Sequence, residues 1–467
     1  MRYISTRGNA PNLTFKQVLI AGLAIDGGLY VPETWPTFTK NEIASFRGKS
    51  YTHVAFEVMR RFVDGDIPDA ALKEMITEAY GTFHHPAVTP LIQIGANEWQ
   101  LELFHGPTLA FKDVAMQILA RLMNYVLKEN NDTLTIVGAT SGDTGGAALS
   151  AFAGLDNIDI FFMFPEGRVS PVQQRQMTTL QGENIHAIAM DGSFDDCQNM
   201  VKAMFANQAF RNKVHLSAVN SINWGRIMAQ TVYYFTAATS LGAPGHHVSF
   251  TVPTGNFGDI YAGYVAKRMG LSIDRLIIAT NENDILNRTI SNGRYEMQGV
   301  RPTITPSMDI QISSNFERLL FDATGRDTAS INAMMGSLRQ SGSYDLPDKS
   351  LEIIKSEFDV GMATESETIQ KIKSVHINSG YLLDPHTAVA LHVADKYSSN
   401  EIPMITLATA HASKFPKTVQ KATNAYPALP EWTGGLMENE ENFTVLENEQ
   451  SAVETFIISK INAAMGT

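Results

Sequence analysis

The sequence contains very little cysteine, since Cys197 is the only one among 467 residues. One thiol cannot form a disulfide within the chain, and it cannot supply the several sulfur ligands of a cysteine-based metal site. We therefore predict no metal centre. A chain without disulfides is typical of a reducing compartment, so we expect a cytoplasmic protein.

Long apolar runs and basic clusters are also missing. No apolar run approaches the roughly 18 residues of a membrane-spanning helix, and the opening MRYISTRGNAPNLTF has no stretch of signal-peptide type. Lysine and arginine number 36 against 48 aspartate and glutamate, a net charge of −12. The balance argues against nucleic acid or membrane as a partner, whereas a small anionic substrate is compatible with it because local donors can outweigh a distant net charge.

Nucleotide-binding fingerprints are absent as well. The glycine-rich segment GATSGDTGG (138–146) fits neither G-x-G-x-x-G nor G-x-x-x-x-G-K-[ST]. A dinucleotide-dependent dehydrogenase is therefore disfavoured.

What the sequence does contain is the composition of a globular protein, with 44% apolar and 18% charged residues. Its length predicts two or three domains. Residues 1–95 are predicted to form a separate N-terminal domain, with a glycine-rich turn in IDGGLYVPETWP and a helix in YTHVAFEVMRRFVDG.

After residue 100, short apolar runs alternate with helical patterns, as when DTLTIVGAT (132–140) precedes GGAALSAFAG. The same alternation follows IDIFFMFP (158–165), NIHAIAMDG and HVSFTVPT (247–254), and Ser193 is the expected N-cap of one helix. This order predicts an α/β fold with parallel sheets flanked by helices. Ligands of such sheets bind beyond the carboxyl ends of the strands.

Three loops follow strands and carry candidate ligand groups. GATSGDTGG presents N–H groups and hydroxyls that suit a carboxylate or a phosphate, although it could be a turn without a ligand. PTGNFGDI (253–260) leaves successive N–H groups free for a compact phosphate, which is weak evidence alone. TLATAHASKF (406–415) brings Thr409, His411 and Lys414 to a strand end. A hydroxyl at a strand end is usually a cap, and a lone histidine is more often a surface or core residue with its hydrogen bonds satisfied.

The stretch FHGPTLAFKD (104–113) places Lys112 directly after an apolar run. If Thr108 caps the following helix, the lysine lies in the first turn, where the helix dipole disfavours a cation. Burial beside Phe111 would act in the same direction, and a neutral amine among apolar walls suits a Schiff-base lysine. The alternative is a lysine that extends to solvent at a domain edge. The predicted apolar face of the helix is Val114, Ile118, Leu122 and Tyr125.

Five separated motifs resemble the threonine synthase family, more narrowly its longer bacterial and fungal branch. They are ELFHGPTLAFKD (102–113), SGDTGGAA (141–148), NSINWGRI (220–227), PTGNFGD (253–259) and DPHTA (384–388). MRYISTRG and AIDGGLYVP match the N-terminal domain of that branch, so the resemblance covers nearly the whole chain. It implies a fold type II enzyme dependent on pyridoxal 5'-phosphate, with a large and a small Rossmann-like α/β domain within 96–467.

The resemblance also implies site residues. Lys112 would form the Schiff base with the cofactor, and Thr409 would face the pyridine nitrogen, where a hydroxyl moderates the electron sink. Asp143 would face the ring hydroxyl, and its charge would oppose the substrate carboxylate unless a proton is shared. The cofactor-binding residues implied are Lys112, Asp143, Gly255, Asn256, Phe257, Gly258 and Thr409.

The implied reaction converts O-phospho-L-homoserine and water into L-threonine and phosphate, the last step of threonine biosynthesis. This is carbon–oxygen lyase chemistry, with Lys112 as the catalytic residue. The resemblance implies that Ser141, Gly142, Thr144 and Gly145 bind the substrate carboxylate. Our candidates for the substrate phosphate are Ser221, Asn223, Arg226 and Lys414, because an arginine fork can bind two phosphate oxygens.

Several alternatives stay open. Asn223 and Trp224 could simply begin a helix, and His386 could hold a turn or handle a proton. The family branch reads TAHPAKF where this chain has Ala412 and Ser413, and the missing proline is expected to loosen the turn before Lys414. Rival functions are a pyridoxal-phosphate lyase or dehydratase acting on threonine, serine or another phospho-amine, and a non-catalytic binding or signalling module. We expect a monomer or homodimer.

Overall fold

The computed structural model describes residues 1–465. The strands are β1 Tyr3–Ser5, β2 Tyr30–Pro32, β3 Leu91–Gln93, β4 Glu98–Glu102, β5 Leu134–Ala139, β6 Ile158–Pro165, β7 Ile185–Met190, β8 Leu216–Ser217, β9 Val248–Pro253, β10 Ile273–Thr280, β11 Arg294–Glu296, β12 Ser343–Asp345, β13 Phe358–Met362, β14 Met404–Ala408 and β15 Thr444–Leu446. The helices are α1 Phe15–Ala21, α2 Lys40–Ser45, α3 Tyr51–Val63, α4 Asp69–Tyr80, α5 Lys112–Asn130, α6 Asp143–Phe152, α7 Pro171–Thr178, α8 Phe194–Ala206, α9 Gln208–Val214, α10 Trp224–Ser240, α11 Gly258–Arg268, α12 Ile285–Asn292, α13 Phe316–Ala323, α14 Thr328–Ser341, α15 Asp348–Glu357, α16 Glu365–Ser379, α17 Pro385–Ala394, α18 Pro416–Thr423 and α19 Gln450–Met465.

The larger of two compact units comprises Met1–Thr77, His85–His105 and Ser221–Ala428. Its main sheet has the order β13-β10-β9-β14-β4-β3. All neighbours pair in parallel except the edge strand β3, which is antiparallel to β4. Two small antiparallel pairs, β1 with β2 and β11 with β12, complete its strands among the described residues.

The smaller unit comprises Glu78–His84, Gly106–Asn220 and the described part of Leu429–Thr467. Its sheet, β15-β7-β6-β5-β8, is parallel throughout. Cys197 lies in the hydrophobic core of this unit and is fully buried. Burial raises the pKa of its thiol to about 11.

The expected α/β fold with parallel sheets is confirmed. In β6, seven of eight residues are buried, as expected when helices cover both faces of a parallel sheet. Ser193 is the N-cap of α8, since its hydroxyl accepts a hydrogen bond from the N–H of Asp196. The predicted helix after residue 50 is α3, and its bounds agree with the pattern.

Two details differ from the expectations or go beyond them. The antiparallel edge strand β3 was not anticipated, because three residues are too few to display a strand pattern. The larger unit combines the N-terminal Met1–Thr77 with Ser221–Ala428, and the domain boundary at residue 95 stays a prediction. Within residues 1–465, no helix combines the length and the apolar character needed to cross a membrane.

Candidate active site

In the smaller unit, a closed loop presents Lys112 at the first position of α5. The expectation that Thr108 caps this helix is wrong: the helix begins at Lys112 after Phe111, which provides no side-chain cap. Thr108 instead donates twice to the carboxylate of Asp113, from its N–H (2.8 Å) and its hydroxyl (2.7 Å). The aspartate occupies the positive end of the helix dipole, where an anion is favourable.

The loop before Lys112 is tightly constrained. A Cβ at position 106 would lie 2.5 Å from the Cβ of Asp113, so the close approach requires glycine there. Leu109 is fully buried and adopts a φ of 61°, in the left-handed region that a leucine rarely occupies. Strained backbone held by its surroundings is a common feature of functional sites.

The Lys112 side chain is buried, which removes the interpretation of a lysine extended into solvent. The residue is 9% exposed. Its Nζ lies 3.4 Å from Asp143 Oδ2 and 4.9 Å from the centre of the Phe111 ring. The other carboxylate oxygen of Asp143 accepts a hydrogen bond from Gln173 Nε2 at 2.9 Å. Gln173 was not a candidate in the sequence, because nothing local connects it to a residue 30 positions earlier.

The loop between β5 and α6 is organised by Thr140. Its hydroxyl accepts hydrogen bonds from the N–H groups of Gly142 (2.9 Å) and Gly145 (3.0 Å). Gly142 has a φ of 144°, and a Cβ there would lie 2.5 Å from the Gln173 side chain. The hydroxyls of Ser141 and Thr144 have no hydrogen-bond partner among the described residues. The loop therefore offers polar donors beside a helix N-terminus, as predicted for a carboxylate site.

In the larger unit, the segment Gly255–Gly258 joins β9 to α11. Its carbonyl groups are bound, since Gly255 O accepts from Ser313 Oγ at 2.7 Å and Asn256 O accepts from the amide of Asn315 at 2.9 Å. Its four N–H groups have no acceptor within residues 1–465. Phe257 has a φ of 63°. Successive free N–H groups at a helix N-terminus form an anion-binding concavity.

The segment NSINWGR lies next to this loop. A Cβ at Gly258 would be 3.7 Å from Ser221 O and 3.6 Å from Ile227 Cδ1. The hydroxyl of Ser221 has no partner among the described residues. Asn223 is the N-cap of α10, since its side-chain oxygen accepts from the N–H of Gly225 at 2.9 Å. It also donates to Leu19 O at 2.8 Å, so the structural interpretation of Asn223 is confirmed and one amide hydrogen stays available.

Arg226 is a buried cation that has no anionic partner within residues 1–465. It is 4% exposed, and in the described part of the chain its guanidinium makes neither a hydrogen bond nor an ion pair. Burial lowers the pKa of Arg226 to about 10, and the nearby Tyr233 acts in the opposite direction. At neutral pH the group is still charged, and a buried unpaired charge is costly.

The DPHTA motif connects to the end of β14. The carboxylate of Asp384 accepts from the N–H of His386 (2.9 Å) and caps α17. His386 Nδ1 lies 3.0 Å from Asp384 Oδ1, and its Nε2 accepts from the N–H of Ser307 at 3.3 Å. Both ring nitrogens are engaged within the fold, as expected of a residue that holds a turn. Thr387 Oγ1 accepts from the N–H of Thr409 at 3.2 Å.

Thr409 is 6% exposed, and its hydroxyl has no partner in the described part of the chain. Beyond it, His411 Nδ1 lies 2.7 Å from Ser413 Oγ and accepts from the N–H of Ser413 at 3.2 Å. These two contacts of Ser413 stabilise the turn that the missing proline is expected to loosen. Lys414, the next residue, is fully buried. Burial lowers the pKa of His411 to about 4.

These groups fit pyridoxal phosphate. In the smaller unit, the buried amine of Lys112 can form a covalent bond with an aldehyde, and Asp143 stands beside it. In the larger unit, the N–H groups of Gly255–Gly258 suit a phosphate and the unpaired hydroxyl of Thr409 suits a ring nitrogen.

Comparisons with known proteins agree with this assignment. The family profiles "Threonine synthase N terminus", "Pyridoxal-phosphate dependent enzyme" and "Threonine synthase, C-terminal" match residues 2–80, 83–404 and 387–457. The threonine synthase of Pseudomonas aeruginosa is 54% identical over 98% of each chain.

Solved structures are similar over the whole length. The crystal structure of threonine synthase from Brucella melitensis, with pyridoxal phosphate bound, has a TM-score of 0.97 and 59% identity and covers 98% of this chain and 99% of that one. The yeast enzyme has a TM-score of 0.95 and 38% identity, covering 99% of both. The chain therefore belongs to the threonine synthase family of pyridoxal-phosphate-dependent enzymes.

Proposed function

We propose that this protein is a threonine synthase, which converts O-phospho-L-homoserine and water into L-threonine and phosphate. Membership of the family supports the reaction, and one observation supports the phosphorylated substrate. Arg226 holds a buried guanidinium that no acidic side chain among the described residues neutralises. A site built to accept a phosphate dianion requires such a group, because the anion completes a charge pair that the fold leaves open.

The neighbours of Arg226 support the same role. Ser221 lies in the adjoining segment with an unpaired hydroxyl, and Arg226 itself occupies the first turn of α10, where the helix dipole favours an anion. We propose Ser221 and Arg226 as the principal donors to the substrate phosphate, with Asn223 and Lys414 as further candidates. Asn223 retains one free amide hydrogen for this purpose.

The substrate carboxylate is assigned to the loop after β5. Its polar donors are the hydroxyls of Ser141 and Thr144, which are unpaired in the described structure. Gly142 and Gly145 allow the tight turn that keeps these donors together, since a Cβ at either position would clash with neighbouring side chains.

Pyridoxal phosphate, when bound, spreads the negative charge that develops at the substrate α-carbon. We propose that Lys112 holds it covalently. Gly255, Asn256, Phe257 and Gly258 would donate N–H groups to its phosphate, Thr409 would face its ring nitrogen, and Asp143 its ring hydroxyl.

Lys112 also has a catalytic role in this proposal. Once the substrate amine has displaced it, its free amine can remove protons from the α- and β-carbons and return protons to the γ- and α-carbons. The amine is buried and lies 3.4 Å from Asp143 Oδ2, so the site shields the transferred protons from solvent. Phosphate leaves from the γ-carbon and water adds at the β-carbon.

The proposal is tested by incubating the purified protein and its cofactor with O-phospho-L-homoserine, threonine and serine in turn. We expect equal amounts of phosphate and threonine from the first substrate. Keto acid from threonine or serine without phosphate release would indicate a dehydratase instead. No turnover of any of the three would favour a binding module.

We further propose the domain division 1–95 and 96–467, the latter with a large and a small α/β domain. The match of the N-terminal family profile to residues 2–80 supports it, and limited proteolysis would locate the boundary. The single cysteine supports a cytoplasmic location. A monomer or homodimer is our proposal for the assembly, which light scattering after size-exclusion chromatography would measure.

A further inference from the structure

Asn315 is fully buried and contacts both anion-binding segments of the larger unit. Its side-chain amide nitrogen donates to Asn256 O at 2.9 Å and to Ser221 O at 3.2 Å. Its backbone N–H also donates to Asn256 O, at 3.1 Å. One amide group therefore ties the loop assigned to the cofactor phosphate to the segment assigned to the substrate phosphate.

Arg318 fixes the orientation of that amide. It is fully buried and donates to the side-chain oxygen of Asn315, which leaves the amide nitrogen directed at the two carbonyls. The same guanidinium donates to Tyr30 O at 3.0 Å and to Ile222 O at 2.6 Å, so it holds the NSINWGR segment directly as well. Its carbon atom Cζ lies 5.6 Å from the centre of the Trp224 ring, on the adjoining helix.

We propose that Asn315 is a positioning residue that sets the distance between the two phosphate-binding segments. The inference rests on the proposed function, which assigns one phosphate to each segment. Within one trans peptide unit the C=O and the N–H of the following residue point in opposite directions, so fixing Asn256 O orients the N–H of Phe257. Fixing Ser221 O holds the backbone that carries the proposed Ser221 hydroxyl donor. Binding of both phosphates then depends on one side chain that contacts neither.

The test compares two substitutions. Asn315→Asp preserves the shape and the contact with Arg318, but it places an oxygen against the two carbonyl oxygens. Ser313→Ala is the matched control, because Ser313 Oγ binds only Gly255 O in the cofactor-phosphate loop. Asn315→Ala, which introduces no repulsion, carries the same test if the aspartate variant does not fold.

Two equilibrium constants are measured for each protein. Pyridoxal phosphate is titrated into the cofactor-free protein and followed by visible absorbance, and inorganic phosphate is titrated into the cofactor-loaded protein by calorimetry. We expect Asn315→Asp to weaken both affinities by about tenfold or more, since Ser221 O loses its side-chain donor, Asn256 O keeps only the backbone N–H of Asn315, and the new carboxylate oxygen repels both carbonyls. Ser313→Ala should weaken the affinity for pyridoxal phosphate and leave the affinity for inorganic phosphate unchanged. An Asn315 variant that leaves the phosphate affinity at the parent value overturns the inference.

Turnover of O-phospho-L-homoserine by the parent protein is measured separately. Its absence would refute the proposed substrate, whereas the two binding constants would still decide whether Asn315 couples the segments. The melting temperature of each variant in cofactor-free buffer accompanies the titrations. If Asn315→Asp and Ser313→Ala lower the melting temperature equally but only Asn315→Asp loses phosphate binding, the effect of Asn315 is positioning and not general destabilisation.

Discussion

The hydroxyl oxygen of Thr387 lies 3.2 Å from the backbone nitrogen of Thr409 and accepts its hydrogen bond. The same hydroxyl donates to Asp384, the N-cap of α17. The first turn of α17 is thereby joined to the end of β14, and the backbone that carries the Thr409 side chain has little freedom. The DPHTA motif thus supports the backbone of the proposed cofactor residue Thr409 through Thr387.

Replacing Thr387 by valine should therefore weaken cofactor binding. The valine keeps the volume but leaves the N–H of Thr409 without its acceptor and removes one of the donors to Asp384, a loss of about 1–3 kcal/mol. We expect the dissociation constant of pyridoxal phosphate, measured by absorbance titration, to rise on the order of tenfold. Thr387→Ser restores the hydroxyl and should bind close to the parent value. Equal affinities for the valine and serine variants would contradict the role of the hydroxyl.

Lys112→Ala should retain the fold and abolish threonine formation. The substitution removes the amine assigned to cofactor attachment and proton transfer, whereas the buried face of α5 is unchanged. Hydride reduction followed by peptide mapping should label the parent at this residue and leave the variant unlabelled. Lys128→Ala is the control on the same helix, because that side chain is 54% exposed. Appreciable turnover by the Lys112 variant would refute the assignment.

Arg226→Met should raise the KM for O-phospho-L-homoserine and at the same time stabilise the protein in phosphate-free buffer. The first effect follows from the loss of a charged donor to the substrate, worth about 1.5–3 kcal/mol or roughly 10–100-fold. The second follows because an apolar side chain of similar length replaces a buried cation that lacks an anion. Melting temperatures with and without phosphate, together with KM, measure both effects.

In the same experiment, added phosphate should raise the melting temperature of the parent much more than that of the Arg226 variant, since ligand binding to the native state stabilises it. Arg175→Met serves as the control, because Arg175 already has acidic and carbonyl partners in the smaller unit. If added phosphate does not change the melting temperature of the parent protein, the proposed phosphate site is contradicted.

Stability should fall as the pH is lowered from about 6.5 towards 4, in part because of His411. Burial lowers the pKa of this histidine from 6.5 to about 4. Between these values the unfolded chain binds a proton that the native protein does not, so acid favours unfolding. At pH about 5 the loss attributable to His411 is about 2 kcal/mol relative to neutral pH.

The substitution His411→Gln keeps an acceptor for the N–H of Ser413 and removes the titration. The free energy of unfolding, measured with denaturant at several pH values, should change less steeply with pH in this variant. His186, whose pKa burial also lowers to about 4, titrates in the same window and should leave part of the slope in place. If the free energy of unfolding depends on pH equally in parent and variant, the pKa of His411 does not differ between the native and unfolded states, which contradicts the prediction.

The strands and the loops that follow them were predictable because their signals are local. Buried parallel strands read as apolar runs, as in IDIFFMFP, and glycines with hydroxyl residues after them mark the ligand-binding loops. Lys112 is visible in the sequence as a charge directly after an apolar run, whereas Arg226 is a candidate because NSINWGR resembles a family motif and an arginine fork can bind phosphate. Their geometric roles still await the experiments above.

What the sequence could not reveal are partners brought together only by the fold. Gln173 binds Asp143 from 30 positions away, Thr387 binds Thr409 from 22, and Asn315 reaches Asn256 across 59. No short pattern encodes such distances. The wrong N-cap at Thr108 has a related cause, because its hydroxyl had a competing acceptor in Asp113 that propensity alone does not reveal.

The burial of Cys197 has a practical consequence. A sulfur atom that is screened from solvent and held in its protonated form reacts slowly with maleimides and with peroxide. Because the chain has no second cysteine, one engineered onto the surface would be the sole fast-reacting position. Fluorophores or spin labels could thus be attached at one chosen point without first altering the native residue.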